Sequence, residues 1–266
     1  MSVWFLLWLF LSLTLLYFFG WTLYILQRQK KAWAAFAKKY GLRYFAGGFS
    51  EAPQMEGVIG DYAFSFFPAQ YELGDVRHSR KMTAIEMTLK SEVPFDGFVA
   101  SGMLIDASKG AGLQHEIKPL HGQWDDTNIV LTDKIGSMQA YLTEERMEII
   151  NRWLKLKNSW FLLGFRNDVF LLRIDTPNPM DNPKKINALV KKLLQDVPVL
   201  ELNKGEASML QIAAAKTASA QDKTLSDDGA DIASISLELE DEEQKNAAPD
   251  QGEVQQNSPE TPSTKE

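Results

Sequence analysis

The sequence predicts an α+β domain with a mostly antiparallel sheet and about three helices, one N-terminal transmembrane helix and a disordered tail. Residues 1–27 carry no charged side chain, whereas residues 204–266 contain 14 Asp or Glu, five Lys and no aromatic residue. Between these ends, strand-like segments come first and amphipathic helices later, without strand–helix–strand alternation. We therefore predict three parts: 1–31, the transmembrane helix and its basic flank; 32–203, the globular domain; and 204–266, the tail.

The charge balance separates the tail from the rest of the chain. The whole chain has a formal net charge of −7 and the tail alone carries −9, which leaves +2 for the remainder. The acidity therefore describes the tail and not the fold. The chain has no cysteine, which excludes a disulfide framework, a zinc-thiolate site, an iron–sulfur cluster and a thiol nucleophile. Together with the uncharged N-terminus, this pattern disfavours a soluble cytosolic enzyme.

The segment from Val3 to Leu26 is long enough to cross a bilayer. Its 24 residues form about 36 Å of helix, against a hydrocarbon core of about 30 Å. A cleavable signal peptide is the alternative, but the start has no basic residues, the apolar stretch is too long, and no small-x-small site precedes Gln27. Aromatic side chains that prefer the two membrane interfaces stand near its ends: Trp4, Trp8, Trp21 and Tyr24.

The flanking charges predict the orientation of this helix. Only Met1 and Ser2 precede it, whereas cations follow it, and Lys and Arg are retained on the cytoplasmic side. We therefore predict a bacterial inner-membrane protein with its N-terminus outside and its domain in the cytoplasm. The reverse, a periplasm-facing envelope component, stays an alternative. Three of the cations are expected to reach the lipid head groups: Arg28, Lys30 and Lys31.

The domain begins with a short amphipathic helix that continues from the membrane. Trp33, Phe36, Ala37 and Tyr40 share one helical face, and Gly41 stands in the C-cap position. Strand-like patterns follow, and a proline in the third of them marks an edge or a bulge. The predicted strands are 42–46, 54–59, 62–71, 81–90, 95–105 and 128–132, and the proline is Pro68.

Two helices and a hairpin complete the predicted domain. Thr143 is the expected N-cap of a helix over 144–156. Segments 159–165 and 169–175 form the hairpin. Asp181 or Asn182 then caps a helix with Pro183 at its first position, and that helix is expected to end before Pro198.

The irregular stretch 106–126 is the one candidate for a small-molecule site. His115 and Glu116 begin like a zinc-binding helix, but Pro119 stands where the second histidine is needed, and an extended chain would place His121 roughly 20 Å from His115. No serine-hydrolase elbow or complete phosphate-binding glycine loop occurs. We predict no catalytic residue, no metal and no cofactor, and keep a ligand-binding or enzymatic site at 106–126 as the alternative.

The tail contains one cluster of four apolar side chains inside an acidic stretch. A disordered segment can bind a protein partner by burying apolar side chains of this kind in the interface. Binding to nucleic acid is disfavoured, because the remainder of the chain carries only +2 and lacks a basic field interleaved with aromatic residues. The candidate partner motif is Ile232, Ile235, Leu237 and Leu239.

Two motifs resemble those of an uncharacterised family of bacterial membrane-anchored proteins. Tyr141 to Ile150 reads YLTEERMEII and precedes a strand pair, and Trp33 to Tyr44 reads WAAFAKKYGLRY. The resemblance covers about 160 residues and implies a fold and a membrane location, with no activity or catalytic residues to transfer. We therefore expect a non-enzymatic binding or scaffold domain that the membrane helix presents to the cytoplasm.

Overall fold

The computed structural model describes residues 2–73, 78–119, 122–166, 169–203, 205–213 and 215, which lie in one compact unit, Met1–Thr217. Its helices are α1 (Val3–Tyr40), α2 (Leu104–Lys109), α3 (Ile135–Tyr141), α4 (Glu144–Leu154) and α5 (Pro183–Leu200). Its strands are β1 (Arg43–Phe45), β2 (Gln54–Ile59), β3 (Tyr62–Leu73), β4 (His78–Leu89), β5 (Gly97–Ala100), β6 (His115–Ile117), β7 (Ile129–Thr132), β8 (Trp160–Arg166) and β9 (Val169–Thr176).

All nine strands form one sheet in the order β1-β2-β3-β4-β9-β8-β5-β7-β6. Every neighbouring pair is antiparallel. The predicted α+β fold with a mostly antiparallel sheet is therefore confirmed. Two short helices, α2 and α3, join the three that the helical periodicity predicts.

One face of the sheet carries the main core. Strand residues alternate between the two faces, so a period of two places the apolar set on one side. Helices α1, α4 and α5 cover this side with Trp33, Trp153 and Ile186, which are fully buried. The buried strand residues beneath them are Phe64, Phe66, Ile85, Met87, Leu163, Phe165, Leu172 and Ile174.

Helix α1 is a single unbroken helix of 38 residues, about 57 Å long. Within the described part of the chain it is the one helix long and apolar enough to cross a membrane. Its first part is exposed, whereas its last three turns bury Trp33, Phe36 and Ala37 against the domain, as the sequence predicts. Gly41 ends the helix in the left-handed conformation, with φ 69°, and donates its N–H to the Ala37 carbonyl.

The other face of the sheet is only partly covered by a helix. Helix α2 packs over β5, β7 and β8 through Leu104, above Ile129 and Leu162. Over β3, β4 and β9, side chains rather than any described helix cover the strands. We call this region the open sheet face; its buried floor is Ala69, Met82 and Ala84, beneath Phe67, Tyr71 and Trp160.

Pro68 lies at an edge and not at a bulge. Strand β2 pairs with β3 only from Tyr62 to Phe66, so the remainder of β3 has a partner on one side alone. The pairing of β3 with β4 runs without interruption from Ala63 to Leu73. The missing N–H of Pro68 therefore removes no hydrogen bond from a central strand.

The strand predicted over 95–105 is shorter in the structure. Strand β5 ends at Ala100, and Gly102 turns the chain with φ 60° before α2 begins at Leu104. A side chain at Gly102 would place its Cβ 2.1 Å from the Trp160 ring, so this turn requires glycine. The stretch 106–126 is accordingly more regular than its composition suggests, since it contains most of α2 and all of β6.

The helix starts are confirmed, and one helix end differs. The Thr143 hydroxyl accepts from the Arg146 N–H, and the Asn182 side chain accepts from the Lys184 N–H. Helix α5 continues past Pro198 to Leu200. Because Pro198 stands in the last turn, it removes only one helical hydrogen bond, and the buried Leu200 carbonyl accepts from the Tyr141 hydroxyl at 2.8 Å.

Residues 205–213 are helical and contact the domain. Glu206 forms a two-fold ion pair with Arg146, at 2.6 and 2.9 Å. Leu210 is buried, and its carbonyl accepts from the Ser137 hydroxyl at 2.8 Å. Contacts with the folded domain therefore continue beyond residue 203, the domain boundary that the sequence predicts.

Candidate functional site

A cleft of about 570 Å³ lies where the apolar part of α1 meets the domain. We call it the junction cleft. One wall is α1 itself, and the other walls are the turn before β8, the β9–α5 connection and the first turn of α5. The lining residues are Trp21, Tyr24, Ile25, Arg28, Lys157, Asn158, Thr176, Pro177, Asn178, Pro179, Asp181 and Lys185.

The junction cleft carries an excess of positive charge. Arg28, Lys157 and Lys185 line it, against the single carboxylate of Asp181. A nitrogen of the Arg28 guanidinium lies 3.1 Å from that carboxylate, and the guanidinium stands 5.8 Å from the centre of the Tyr24 ring. The pairing holds Arg28 at the cleft and leaves the lining with a net charge of +2.

The backbone of the outer wall is fixed in uncommon conformations. Among the described residues, Asn158 and Met180 are the two non-glycine residues with positive φ, at 57° and 53°. Asn158 lines the cleft, and Met180 stands between two lining residues. The Asn178 side chain accepts from the Met180 N–H at 2.9 Å. Asparagine adopts this region readily, whereas methionine rarely does, so Met180 is the position where the surroundings impose the backbone conformation.

The domain also holds α1 from the opposite side. Lys30 donates to the Gly48 carbonyl at 2.5 Å, and the Gly48 N–H donates to Glu51 at 2.6 Å. Lys30 is two residues from Arg28, which places the two side chains about 200° apart around the helix. The β1–β2 loop that Lys30 binds exposes Phe49, with 70% of its surface accessible. The domain therefore contacts α1 on two sides directly after the apolar segment.

The residues predicted to lie at a membrane interface all fall on α1. Trp4 and Trp8 are exposed near its start. Trp21 and Tyr24 pack against each other, with ring centres 6.0 Å apart, and line the junction cleft with Arg28. Lys30 binds the β1–β2 loop and Lys31 is exposed. The structure thus brings three of the seven into one cleft, and their place at an interface stays a prediction.

Sequence reasoning missed the remaining lining residues of the cleft. Lys157 belongs to the α4–β8 connection, whereas Asp181 belongs to the β9–α5 connection and Lys185 to the first turn of α5. These residues meet only because β8 and β9 pair. The one local signal is the run of Pro177, Asn178 and Pro179, which is typical of a turn with fixed geometry.

A second polar group, the Arg173 cluster, lies on the open sheet face. Arg173 binds Asp175 at 2.8 Å, Glu86 at 2.9 Å and the Tyr71 hydroxyl at 2.9 Å. The Tyr71 hydroxyl donates to the other oxygen of Asp175. Asp175 is fully buried and Glu86 is partly buried. These four residues come from three strands and form a closed ionic network.

Electrostatics indicate that the Arg173 cluster is structural. Burial raises the pKa of the Glu86 carboxyl, and Arg173 opposes that rise only in part. Burial and the bond to Asp175 raise the pKa of the Tyr71 hydroxyl further above its ordinary value. Because each member is bound to another member, the cluster stabilises the pairing of β3, β4 and β9 and presents no group poised to react.

The stretch 106–126 forms one side of a separate cleft of about 680 Å³. His115 does not line this cleft; it lies on β6, paired with Thr132. His121 lies outside the described residues. The expectation that this region holds no metal, cofactor or catalytic residue stays a prediction. The lining residues are Ile117, Lys118, Pro119, Gly122, Gln139, Leu142, Glu144 and Met147.

The predicted partner motif also lies outside the described residues. Ile232, Ile235, Leu237 and Leu239 belong to that part of the chain, and their binding to a protein stays a prediction.

No protein-family model matches the chain, and no curated protein matches it significantly. Among solved structures, the crystal structure of the mycobacterial trehalose monomycolate transport factor A, TtfA, aligns with 13% sequence identity and a TM-score of 0.37. The alignment covers 66% of this chain and 94% of that chain. At this TM-score the likeness supports no argument about function.

Proposed function

We propose that the protein is a single-span inner-membrane protein that holds a non-enzymatic binding or scaffold domain at the cytoplasmic surface, with its N-terminus outside. The observation that carries this proposal is the continuity of α1. The same helix bears the exposed apolar segment and buries Trp33 and Phe36 in the domain core.

This continuity supports a scaffold more than a loosely tethered enzyme. A flexible linker would let a domain swing away from the membrane, whereas an unbroken helix fixes both distance and orientation. Lys30 and Arg28 bind the domain on two sides of α1, so bending at this point would break contacts. A domain held in this way can present the start of its tail at a constant height above the bilayer.

The proposed partner is a protein that binds the tail motif Ile232, Ile235, Leu237 and Leu239. An apolar group within an acidic segment can fold onto a partner as a helix or an added strand. The end strands β1 and β6 offer only short edges for strand addition, since they have three residues each, and the longer open edge of β3 beyond Phe66 contains Pro68, which has no N–H to donate. The tail therefore supports the partner role better than the sheet edges do.

The test compares three forms of the full chain purified from mild detergent. One is the wild type, one lacks residues 232–243, and the matched control carries the same twelve residues in scrambled order. We expect a stoichiometric protein partner with the wild type alone. Equal recovery of that partner with all three forms would indicate that the partner binds the folded domain and not the tail motif. The absence of any partner would contradict the proposed binding or scaffold role.

The second candidate function is small-ligand binding at the cleft beside 106–126. Its volume lies within the range of about 300–1,000 Å³ that is usual for ligand sites, and Lys118, Gln139 and Glu144 place polar groups at its rim. A Gln139→Trp substitution fills this cleft, and Ala140→Trp is the exposed control. Ligand binding would be favoured over the scaffold role if Gln139→Trp or His115→Ala/His121→Ala abolished the protein's function in the cell while deletion of 232–243 left that function unchanged.

A further inference from the structure

We infer that the junction cleft binds the phosphate of an anionic phospholipid head group from the leaflet that the domain faces. This inference rests on the proposed membrane-anchored function and adds a specific ligand class to it. It follows from the position of the cleft, its charge, its two kinds of wall and the restricted backbone of its outer wall.

The position of the cleft matches the depth of lipid head groups. Trp21 and Tyr24 stand in the last two turns of the apolar segment, which ends at Leu26, and both line the cleft. Arg28 follows Leu26 by two residues, or about 3 Å along the helix axis. Tryptophan and tyrosine favour the boundary between acyl chains and head groups, so the cleft opens at that boundary.

The charge of the cleft favours an anion. Three cationic side chains face one carboxylate in the lining. A guanidinium offers five N–H donors in a plane that suits phosphate oxygens, and the Asp181 carboxylate lies 3.1 Å from Nη2 of Arg28. Asp181 therefore orients Arg28, while Lys157 and Lys185 supply the net charge that a phosphate would neutralise.

The walls of the cleft suit a ligand that is polar at one end and apolar at the other. Trp21 and Ile25 offer apolar surface on α1, the side of the membrane span. The lysines and Asn178 offer donors on the side of the domain. A free phosphate ion would use only the second set, whereas a phospholipid would use both, with its glycerol and first methylene groups against the apolar wall.

The backbone of the outer wall also limits the cost of binding. Asn158 and Met180 have positive φ, and the rings of Pro177 and Pro179 fix φ in the β9–α5 connection. A wall with few backbone conformations loses little entropy when a ligand binds. The alternative is that the cleft cations serve only to orient the helix during membrane insertion. In that case, replacing exposed lysines elsewhere in the domain would have the same effect on lipid retention as replacing the cleft cations.

That contrast defines the experiment. The full chain is placed in nanodiscs of phosphatidylcholine that contain some phosphatidylglycerol, extracted into mild detergent, and assayed for retained lipid by native mass spectrometry. The cleft variant is Arg28→Gln/Lys157→Gln/Lys185→Gln. The matched variant, Lys38→Gln/Lys184→Gln/Lys191→Gln, removes the same charge from exposed lysines that do not line the cleft.

We expect the wild type and the matched variant to retain phosphatidylglycerol in preference to phosphatidylcholine, and the cleft variant to retain at least tenfold less. Equal retention by the two triple variants would overturn the inference. Displacement of the lipid by millimolar inorganic phosphate would show a site for free phosphate and would also overturn it.

The outcome is separable from that of the proposed function. Circular dichroism and partner recovery are measured on the same three proteins. If the cleft variant recovers the partner normally and retains lipid normally, the lipid inference fails and the scaffold proposal stands. If it folds, recovers the partner and loses only the lipid, both stand.

Discussion

At the scale of single residues, the Arg173 cluster shows how one cation supports several strands. Arg173→Met leaves the buried carboxylate of Asp175 without its cationic partner, and removing one member of a buried ion pair costs about 3–5 kcal/mol. We expect the free energy of unfolding to fall by that amount in urea titrations of the detergent-solubilised protein. Arg80→Met is the control, since Arg80 contacts the Trp160 ring near the surface, and its loss is expected to cost about 1 kcal/mol or less. Equal costs would contradict a structural role for the cluster.

Glu206 gives a residue-scale prediction about pH. Its bond to Arg146 holds the pKa of the Glu206 carboxyl below its ordinary value of 4.5. A carboxyl with a lowered folded-state pKa contributes stability above its ordinary pKa and loses that stability as pH falls through the folded value. We therefore expect hydrogen exchange to show residues 205–213 protected at neutral pH and released in acid. Glu206→Gln should weaken protection at neutral pH and flatten its pH dependence below pH 4.5; an unchanged profile would show that Leu210 alone holds this helix.

At the scale of elements, the register of α1 sets the junction cleft. Inserting one alanine between Gln27 and Arg28 rotates the apolar segment by about 100° relative to the domain. Trp21 and Tyr24 then leave the cleft while Arg28 stays, and we expect lipid retention to fall severalfold in the native mass spectrometry assay. One alanine inserted after Ser12 is the matched control, because it preserves the register from Trp21 to Arg28. Equal retention by both insertions would show that the helix bends freely at this point.

Elements with a strong local signal could be predicted from the sequence, and those fixed by distant partners could not. Thr143 and Asn182 cap their helices because hydroxyl and amide oxygens accept backbone N–H groups, and β2 occupies the predicted 54–59. Helix α3 was missed because seven residues are too few to show a clear helical period. The end of β5 depends on the fit of Gly102 against Trp160, which lies 58 residues away in the sequence.

The candidate site was predictable on one side only. The bounds of the apolar stretch, the preference of aromatic residues for membrane interfaces and the cations that follow place Trp21, Tyr24 and Arg28 at its end. Their partners Lys157 and Asp181 belong to separate connections, and no spacing within the chain relates them to α1. The Arg173 cluster was missed for the same reason, because its members lie on three strands whose pairing is long-range.

At the scale of the whole molecule, orientation is the decisive prediction. Six cations follow the apolar segment closely, so we expect the domain and the C-terminus to be cytoplasmic. A fluorescent protein fused after Glu266 should fluoresce, and alkaline phosphatase fused at the same position should be inactive. The opposite pair of results would indicate the periplasm-facing alternative. Adding lysines before Val3 is expected to increase the fraction of molecules inserted in the reverse orientation, and so to lower the fluorescence and raise the phosphatase activity of these fusions.

The contact between α1 and α5 also governs the order in which the molecule can be completed. Lys39 and Tyr40 bind the side chain of Asn187 at 3.0 and 2.5 Å, across 148 and 147 residues of sequence. The first helix to leave the ribosome therefore finds this partner only after most of the chain has been made. At about 5–20 residues per second, that interval is on the order of ten seconds. Throughout that interval, the apolar face of α1 that bears Trp33 and Phe36 is only partly packed against other elements. The N-terminal helix, although synthesised first, is therefore among the last elements to complete its contacts.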